Sequence, residues 1–397
     1  MHGLTSSHTA QGREIRVLLV ADGSGGHLIP ALQVANALAK TGARAHLWYA
    51  QRRALLPLTE ALTHAGLDPA VEIASMPVGS AAGVMARLWR CGQLWHHAQR
   101  CFETFAPDVV VGFGGWVSVP VLLAARLRQA NGAARPAIGC LLHEQNAVMG
   151  RANRWLAPWV DRVAVSFPEA APRRNGPPAV LTGMPIRDGI GDASREAAAQ
   201  RFGFTPEAPT LLVLGGSQGA RAINRLVVEM VERLSAEERR AWQLLHLVGG
   251  GDAPAIAARY AAHHVKAWVA PFLAEMEVAY AQADLAIARA GASTIAELAR
   301  CGVPAVLIPY PHAGRHQQAN AGLVEAVGGG VVLEEPEATP VTLLEAVRRL
   351  LRDHERRATM GRQIQTLHQP QAAARLSRAI LELAGAGEAD EVSNDDR

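Results

Sequence analysis

The segment RVLLVADGSGGHLIPAL, residues 16–32, joins a short apolar run to a Gly-rich turn, and the turn leads into a helical pattern. The segment TLLVLGGSQGARAIN, residues 210–224, repeats that order in the second half of the chain. Short apolar runs that alternate with helical patterns are typical of parallel strands buried between helices. The two segments therefore predict two α/β halves, each built on a parallel sheet.

Further apolar runs follow each of these segments. They occupy residues 45–50, 108–113, 137–143 and 162–167 in the first half, and 242–250, 264–269, 284–291, 304–310 and 330–335 in the second. The Pro- and Gly-rich stretch Asn175–Gly191 lacks periodicity and predicts the junction. Open parallel sheets bind ligands at the carboxyl ends of their strands, so we expect the two halves to face a cleft there. The alternative is that only one half carries a functional site.

The composition indicates a globular protein. The chain has 397 residues, of which 49% are apolar and 19% are charged, and this balance argues against disorder. A net charge of +3 does not suggest a nucleic-acid partner. Four scattered cysteines lack the spacing of metal or redox sites, which favours a reduced, intracellular protein. The polar first residues do not resemble a secretory signal, and no apolar run reaches the roughly 20 residues that span a bilayer, so we expect any membrane contact to be peripheral.

The turn Asp22–His27 is predicted to bind phosphate. Its glycines let the backbone approach a ligand, and the helix that follows presents unpaired N–H groups. A dinucleotide site is disfavoured, because Leu28 occupies the third glycine position and residues 48–50 contain no acid. His27 lies beside the phosphate site, and its imidazole can accept a proton from an attacking hydroxyl. We therefore favour a functional role for His27 over packing or capping.

Two further loops follow strands of the first half. Gly112–Ser118 is a second Gly-rich turn, and two such turns on one sheet suggest a broad anion such as a pyrophosphate. His143–Asn146 places four polar side chains at the end of a strand. We predict that Asn146 contacts a ligand, and the alternative is that it caps a helix over residues 147–157.

The second half offers three segments of similar character. Gly215–Arg221, which includes Ser217, is suited to a phosphate. In Arg289–Glu297, small residues at a helix start would admit a nucleotide diphosphate, and Glu297 could hold both ribose hydroxyls. The alternative for this segment is a Thr-x-x-Glu capping box. The loop His312–Asn320 carries amides that can bind sugar hydroxyls, namely Gln317, Gln318 and Asn320, or it is simply solvated.

Apolar residues at helical spacing form a stripe between residues 84 and 102. The stripe consists of Val84, Leu88, Cys91, Trp95, Ala98 and Phe102, widened by Met85 and Trp89. Arg87, Arg90 and Arg100 add positive charge. One interpretation places the stripe in the core, and the other places part of it on an anionic bilayer surface.

Taken in order, the motifs resemble one family. They are GSGGHLIPAL, GFGGWVSVP, LLHEQNAVMGRANRWLA, GMPIR, LGGSQGARAIN and RAGASTIAELARCGVPAVLIPYP. These motifs resemble MurG, the UDP-N-acetylglucosamine transferase family of peptidoglycan synthesis, from about residue 16 to about residue 383. The resemblance implies a GT-B fold, which is two Rossmann-like, doubly wound parallel-sheet domains around a cleft. It also implies an inverting, metal-independent enzyme without a cofactor that converts lipid I to lipid II.

The resemblance also implies an organisation and a location. The expected parts are a flexible segment 1–14, an acceptor and membrane-side domain 15–183, a UDP-sugar domain 184–368, a helix 369–384 that packs back on the first domain, and a disordered tail 385–397. The expected partners are UDP-N-acetylglucosamine, lipid I, an anionic membrane surface and other proteins of cell-wall synthesis, but no nucleic acid. The expected location is peripheral, at the cytoplasmic face of the plasma (inner) membrane.

Site residues carry over from the family by position. His27 is the expected base and Glu144 the second candidate. The expected donor contacts are Ser24, Gly25, Gly26, Asn146, Arg187, Ser217, Leu273, Ala292, Ser293, Thr294, Ile295, Ala296, Glu297 and Gln317. The expected acceptor-side residues are Gly114, Gly115, Trp116, Ser118 and His143.

The sequence departs from the family pattern at four positions. Asp22 replaces a usual glycine, Ser24 a threonine, Trp116 a tyrosine and Met184 an asparagine. Asp22 adds negative charge near the expected diphosphate, whereas Ser24 keeps its hydroxyl. Two alternatives therefore stay open: a GT-B transferase for another lipid acceptor, and a UDP-sugar-binding protein with weakened catalysis.

Overall fold

The computed structural model describes residues 13–50, 67–76, 84–130, 137–172, 176–215, 221–311 and 315–392. These residues form two compact units. The first contains the described residues up to Arg187 together with those from Gln369 onward, and the second contains Asp188–His368. The sequence placed the junctions between residues 183 and 184 and between residues 368 and 369.

The first unit is built on a seven-stranded parallel sheet with the order β3-β2-β1-β4-β5-β6-β7. Its strands are β1 Arg16–Asp22, β2 Arg44–Ala50, β3 Val71–Met76, β4 Val109–Gly112, β5 Gly139–Glu144, β6 Arg162–Val165 and β7 Ala179–Leu181. The helices before the junction are α1 Gly25–Ala39, α2 Val84–Thr104, α3 Ser118–Ala130 and α4 Arg151–Leu156, and two 3₁₀ turns span Ala157–Trp159 and Pro168–Ala170. The order reverses between β1 and β4, which is where open α/β sheets bind ligands.

The second unit is built on a six-stranded parallel sheet with the order β10-β9-β8-β11-β12-β13. Its strands are β8 Thr210–Leu214, β9 Gln243–Leu247, β10 Lys266–Ala270, β11 Leu285–Ala288, β12 Ala305–Leu307 and β13 Gly330–Val332. Its helices are α5 Arg195–Phe202, α6 Arg221–Val231, α7 Ala236–Ala241, α8 Ala253–Ala262, α9 Met276–Gln282, α10 Ala292–Cys301, α11 His316–Ala326, α12 Pro340–Arg352 and α13 His354–Gln365. All six of these strands were predicted from the sequence, and the prediction of two Rossmann-like parallel sheets is confirmed.

The last helix, α14 Ala372–Val392, belongs to the first unit. Arg162 of β6 donates a hydrogen bond to the Ala379 carbonyl over 3.2 Å and pairs with Glu382 at 2.9 Å. The helix extends past residue 384, where the sequence placed its end, and the disordered tail 385–397 stays a prediction.

The predicted apolar stripe on α2 divides between two environments. Ala98 and Phe102 are buried in the core of the first unit, and Trp95 packs against that core. Met85 and Trp89 are exposed. No helix in the described part of the chain combines the length and apolar character needed to cross a bilayer.

Candidate functional site

The first Gly-rich turn places His27 at the start of α1. Ser24 has an extended backbone at the N-cap, and its hydroxyl lies 3.3 Å from His27 Nδ1. The His27 N–H donates to the Ser24 carbonyl over 3.0 Å, and the ring is half-buried. The turn therefore holds the imidazole through its Nδ1 side, with Gly25 and the exposed Gly26 beside it.

The second Gly-rich turn, after β4, comes close to His27. Gly114 and Gly115 have φ of +86° and +77°, a conformation that favours glycine. A Cβ on Gly114 would lie 3.5 Å from His27 Nε2, and a Cβ on Gly115 would lie only 2.8 Å from Asp22 Cβ. A side chain at Gly115 would collide with Asp22, whereas at Gly114 it is the positive φ, and not a lack of space, that favours glycine.

The side chains expected on the acceptor side differ in exposure. Ser118 is fully buried, and its hydroxyl donates to the Gly114 carbonyl over 2.9 Å. It therefore shapes the Gly114 turn and does not face a ligand. Trp116 is half-buried and packs against the core of the first unit.

His143 is a buried, neutral histidine at the end of β5. Its Nε2 lies 3.2 Å from the Gly183 carbonyl, and its Nδ1 lies 3.3 Å from the side-chain nitrogen of Gln145. Burial lowers the pKa of His143 to about 4, although the Gly183 bond and the nearby Glu144 charge raise it. The imidazole is fully buried, so it cannot touch an acceptor in this structure. Its contacts indicate a supporting role.

Glu144 is saturated with hydrogen bonds. Its Oε1 accepts from the Asn146 backbone N–H at 2.9 Å and from the Asn146 side chain at 3.0 Å. Its Oε2 accepts from the Gly150 N–H and from the Asn153 side chain, both at 2.8 Å. The carboxylate is 1% exposed. This geometry suits the orientation of Asn146 better than proton transfer.

Asn146 does not cap a helix. Helix α4 begins at Arg151 with Gly150 at its N-cap, so the capping alternative for Asn146 is wrong. Gln145 and Asn153 complete the network, and neither was predicted as a site residue. The Gln145 side chain donates to the Phe113 carbonyl over 2.9 Å. Asn153 lies within the motif LLHEQNAVMGRANRWLA, but nothing in that motif singles it out from its polar neighbours.

Two departures from the family pattern lie inside this network. Asp22 is buried against Gly115. Met184 is also buried, and its sulfur lies 3.6 Å from the hydroxyl of Ser166, which in turn lies 3.4 Å from His143 Nε2. A thioether therefore packs where the family usually has an amide.

In the second unit, α10 presents its first turn at the carboxyl end of β11. Gly291 is the N-cap and contributes no capping side chain. Thr294 is the third residue of the helix, so the Thr294–Glu297 capping box is wrong. Glu297 instead accepts a hydrogen bond from the Tyr280 hydroxyl at 2.7 Å. Tyr280 was not predicted, because its partner lies 17 residues further along the chain.

The side chains of the first turn of α10 differ in burial. The side chains of Ala292 and Ile295 are buried, whereas Ser293, Thr294 and Ala296 are half-buried. Ile295 can therefore offer a ligand only its backbone.

Side chains of α11 and of the segments after β11 and β12 support α10. Gln317, Gln318 and Asn320 lie on α11, so the prediction of a loop as far as Asn320 is wrong. The Asn320 side chain is buried and donates to the Ala290 carbonyl over 3.0 Å, so it cannot bind a sugar as expected. Arg289 donates to the Ile308 carbonyl over 2.9 Å, pairs with Glu335, and lies over the Tyr310 ring at 5.3 Å. Gln317 is half-buried and accepts from the Tyr310 N–H at 2.9 Å.

Four further residues or segments singled out from the sequence remain. The Leu273 side chain is buried, which leaves its backbone as the expected contact. Arg187 is half-buried at the end of the first unit. Ser217 and His312 lie outside the described residues.

Two family models match the chain. The Glycosyltransferase family 28 N-terminal domain matches residues 17–165, and the Glycosyltransferase family 28 C-terminal domain matches residues 210–376. The chain belongs to glycosyltransferase family 28. Both matched stretches begin at the first strand of a sheet and include its Gly-rich turn.

Similar proteins span nearly the whole chain. A relative from Halorhodospira halophila is 39% identical over 371 residues, which cover 93% of this chain and 98% of the relative. A relative from Desulforudis audaxviator is 36% identical over 384 residues, which cover 94% and 100%. Both are named UDP-N-acetylglucosamine--N-acetylmuramyl-(pentapeptide) pyrophosphoryl-undecaprenol N-acetylglucosamine transferase. The crystal structure of Acinetobacter baumannii MurG aligns with a TM-score of 0.70 and 27% identity, covering 93% of this chain and 99% of that one. The resemblance drawn from the motifs is confirmed.

Proposed function

We propose that this chain transfers N-acetylglucosamine from UDP-N-acetylglucosamine to the C4 hydroxyl of lipid I and so forms lipid II. The observation that carries the proposal is the His27 cluster, in a chain whose relatives bear the name of that transferase. Ser24, Gly114 and the network behind them hold one imidazole in place at the point where the strand order reverses. A protein that only binds a UDP-sugar would not need a histidine held in this way.

His27 acts as the base. When Nδ1–H donates to the Ser24 hydroxyl, Nε2 keeps the lone pair that accepts the proton of the C4 hydroxyl. The oxygen then attacks the anomeric carbon, the bond to the UDP oxygen breaks, and the configuration inverts. Glu144 supports this site by orienting Asn146, whose amide contacts the donor sugar.

The second unit holds the nucleotide. The N–H groups of the first turn of α10 bind the diphosphate, since a helix start with a glycine N-cap favours negative charge. Glu297, oriented by Tyr280, accepts hydrogen bonds from the two ribose hydroxyls. Backbone amides stabilise the charge that develops on the leaving UDP.

The first unit meets the cytoplasmic face of the plasma membrane. Met85 and Trp89 of α2 are 79% and 64% exposed, and Trp155 and Trp159 are 55% and 45% exposed beside the exposed Arg151 and Arg154. Exposed Trp side chains next to Arg suit the boundary between anionic headgroups and acyl chains. A membrane-bound acceptor would be reached from this side.

A transfer assay with radiolabelled UDP-N-acetylglucosamine and a lipid I analogue tests the proposal. We expect labelled lipid II, with UDP-glucose competing poorly. Transfer only to a different lipid acceptor would assign the chain to another GT-B activity. UDP binding without transfer to any acceptor would identify a binding protein with weakened catalysis.

A further inference from the structure

A buried histidine that the proposed mechanism does not use lies in the second unit. His246 is the fourth residue of β9 and is fully buried. Its Nδ1 lies 2.8 Å from the Tyr260 hydroxyl on α8, and its Nε2 lies 3.1 Å from Asn224 Oδ1 on α6. Burial lowers the pKa of His246 to about 3, so the ring is neutral at physiological pH. One strand side chain therefore links two helices.

The direction of each hydrogen bond is fixed. Asn224 Nδ2 donates to the Val248 carbonyl over 2.9 Å, which turns Oδ1 toward His246. An amide oxygen can only accept, so His246 donates from Nε2–H and accepts the Tyr260 hydroxyl proton at Nδ1. The result is a chain of three directed bonds that starts at Tyr260 and ends on the backbone after β9.

This chain ends at the carboxyl edge of the second sheet. The Val248 carbonyl also accepts from the Gly251 N–H at 3.1 Å, which closes the turn Val248–Gly251. A Cβ on Gly251 would lie 2.7 Å from Asn224 Nδ2, so the turn and the amide are packed together. Next to it, the Gly215 N–H at the end of β8 donates to the Leu247 carbonyl over 3.4 Å. Gly215 opens the Gly-rich segment for which the sequence predicts phosphate binding.

We propose that His246 is a positioning residue for the nucleotide-sugar donor: it fixes the Asn224 amide, which holds the turn Val248–Gly251 against the start of α6. This inference rests on the proposed donor site in the second unit. Arg221, the first residue of α6, follows in sequence the Gly-rich segment for which the sequence predicts phosphate binding, and Asn224 lies one turn into that helix, so a shift of Asn224 displaces the helix start next to that segment. His246 itself does not contact the donor.

Variants along the series of three hydrogen bonds from Tyr260 to the Val248 carbonyl give a graded test. We expect Asn224→Ala to raise the KM for UDP-N-acetylglucosamine about tenfold, because both directed bonds that fix the turn are lost. Tyr260→Phe removes only the outermost bond and keeps the ring, so we expect about a threefold increase. His246→Gln should fall between the two. The KM for the lipid I analogue and kcat should stay within about twofold, since a general loss of folded enzyme would lower kcat instead.

Gln243→Met is the matched control. Gln243 is a buried residue of the same strand, at its opposite end, and its side chain bonds Thr205 N and O at 2.7 and 2.9 Å. We expect this variant to lose thermal stability much as Asn224→Ala does while the donor KM stays unchanged. Equal donor KM effects in both variants, or no effect in Asn224→Ala, would overturn the positioning role.

The two proposals fail in different ways. A wild-type chain that transfers no sugar from UDP-N-acetylglucosamine would reject the proposed function. Calorimetric binding of UDP would still test His246, because the same graded increase is then expected in the dissociation constant. UDP affinity equal to wild type in Asn224→Ala and Tyr260→Phe would reject the positioning role alone.

Discussion

The two sheets share a strand order around β1 and β8 but carry different polar groups at their carboxyl edges. In the first unit, buried hydrogen-bonding side chains follow β5 and fill the space behind His27. Glu144 alone accepts four N–H bonds there. In the second unit, small residues begin α10, and the acidic Glu297 lies one turn into the helix.

This difference explains how one topology supports two tasks. A base must stay in one orientation, and the buried amides and carboxylate hold the Gly114 turn, which lies next to the His27 imidazole. A diphosphate needs several N–H donors and close approach, which a glycine N-cap and small side chains allow. The carboxyl edge of the first sheet (the first edge) is thus organised by side chains, and that of the second sheet (the second edge) by backbone groups.

The largest effect should come from His27→Ala, which removes the side chain for which the first edge is organised. We expect kcat to fall about 10²–10⁴-fold, the usual contribution of a positioned base. The donor KM should change little, since the nucleotide is held by the second unit. His354→Ala, at an exposed histidine of α13, is the control and should behave as wild type. Near-normal turnover of His27→Ala would show that the histidine is not the base.

Glu297→Gln tests the second edge. Losing a charged acceptor should raise the donor KM about 10- to 100-fold, because hydrogen bonds to charged groups contribute about 1.5–3 kcal/mol. Tyr280→Phe should have a smaller effect in the same direction. Glu237→Gln removes an exposed carboxylate of α7 and is the control. If donor KM is unchanged in Glu297→Gln, the ribose contact must lie elsewhere.

Among the described residues, each unit contains one fully buried histidine with a lowered pKa, and this pair predicts acid sensitivity. The folded-state pKa values of His143 and His246 are lowered to about 4 and about 3 from 6.5. The unfolded chain therefore binds more protons below pH 6.5, and stability falls as pH drops from there toward 4. At pH 5 each histidine should cost about 2 kcal/mol of unfolding free energy relative to pH 7.

Denaturant unfolding of His143→Gln and His246→Gln at pH 7 and pH 5 checks this. In each variant, the difference in unfolding free energy between pH 7 and pH 5 should be smaller than in wild type by about 2 kcal/mol, even if the variant is less stable at both pH values. Burial also lowers the pKa of His46 and His368, so the wild-type difference in unfolding free energy between pH 7 and pH 5 should exceed the sum of the contributions of His143 and His246. Glu238 does not interfere, because its Arg348 bond lowers its pKa to about 2 and it stays ionised at both pH values. A variant that kept the full pH difference would contradict the prediction.

The sequence predicted the whole second sheet and the five central strands of the first, but neither edge strand of the first. The strands of the second unit are apolar runs, and all six were found. β3 and β7, the two edge strands of the first sheet, were missed: polar residues interrupt β3, and β7 has only three residues inside the Pro- and Gly-rich stretch that the sequence assigned to the junction. The flexible segment 1–14 lies outside the described residues up to residue 12, while Arg13 pairs with Asp108.

Local sequence also could not separate contact from support within the candidate site. The order of the motifs brought His27, Gly114 and Glu144 to one edge, since adjacent parallel strands end together. The burial of His143, Ser118 and Asn320 depends on which partners the fold supplies. Their hydrogen bonds reach carbonyls 4 to 40 residues away, and no spacing rule in the sequence encodes those.

The smallest expected effect concerns the outer surfaces of the two units. Of the exposed large apolar side chains in the described residues, seven belong to the first unit and only Tyr310 and Val341 to the second. Trp155 and Trp159 are four residues apart on consecutive helical turns, so they share a face. Replacing both with Ser should weaken binding to vesicles of anionic lipid roughly three- to tenfold, given the apolar area that a bilayer would cover.

The matched control for that surface is Val341→Ser in the second unit, which should leave vesicle binding unchanged. Transfer to a water-soluble lipid I analogue should be equal in both variants and wild type, because neither change reaches the His27 cluster. Equal vesicle binding by the Trp155→Ser/Trp159→Ser variant and wild type would remove this face from the membrane surface and leave Met85 and Trp89 of α2 as the exposed aromatic and thioether contacts to test next. Loss of vesicle binding in Val341→Ser would mean that the asymmetry between the units does not set the membrane side.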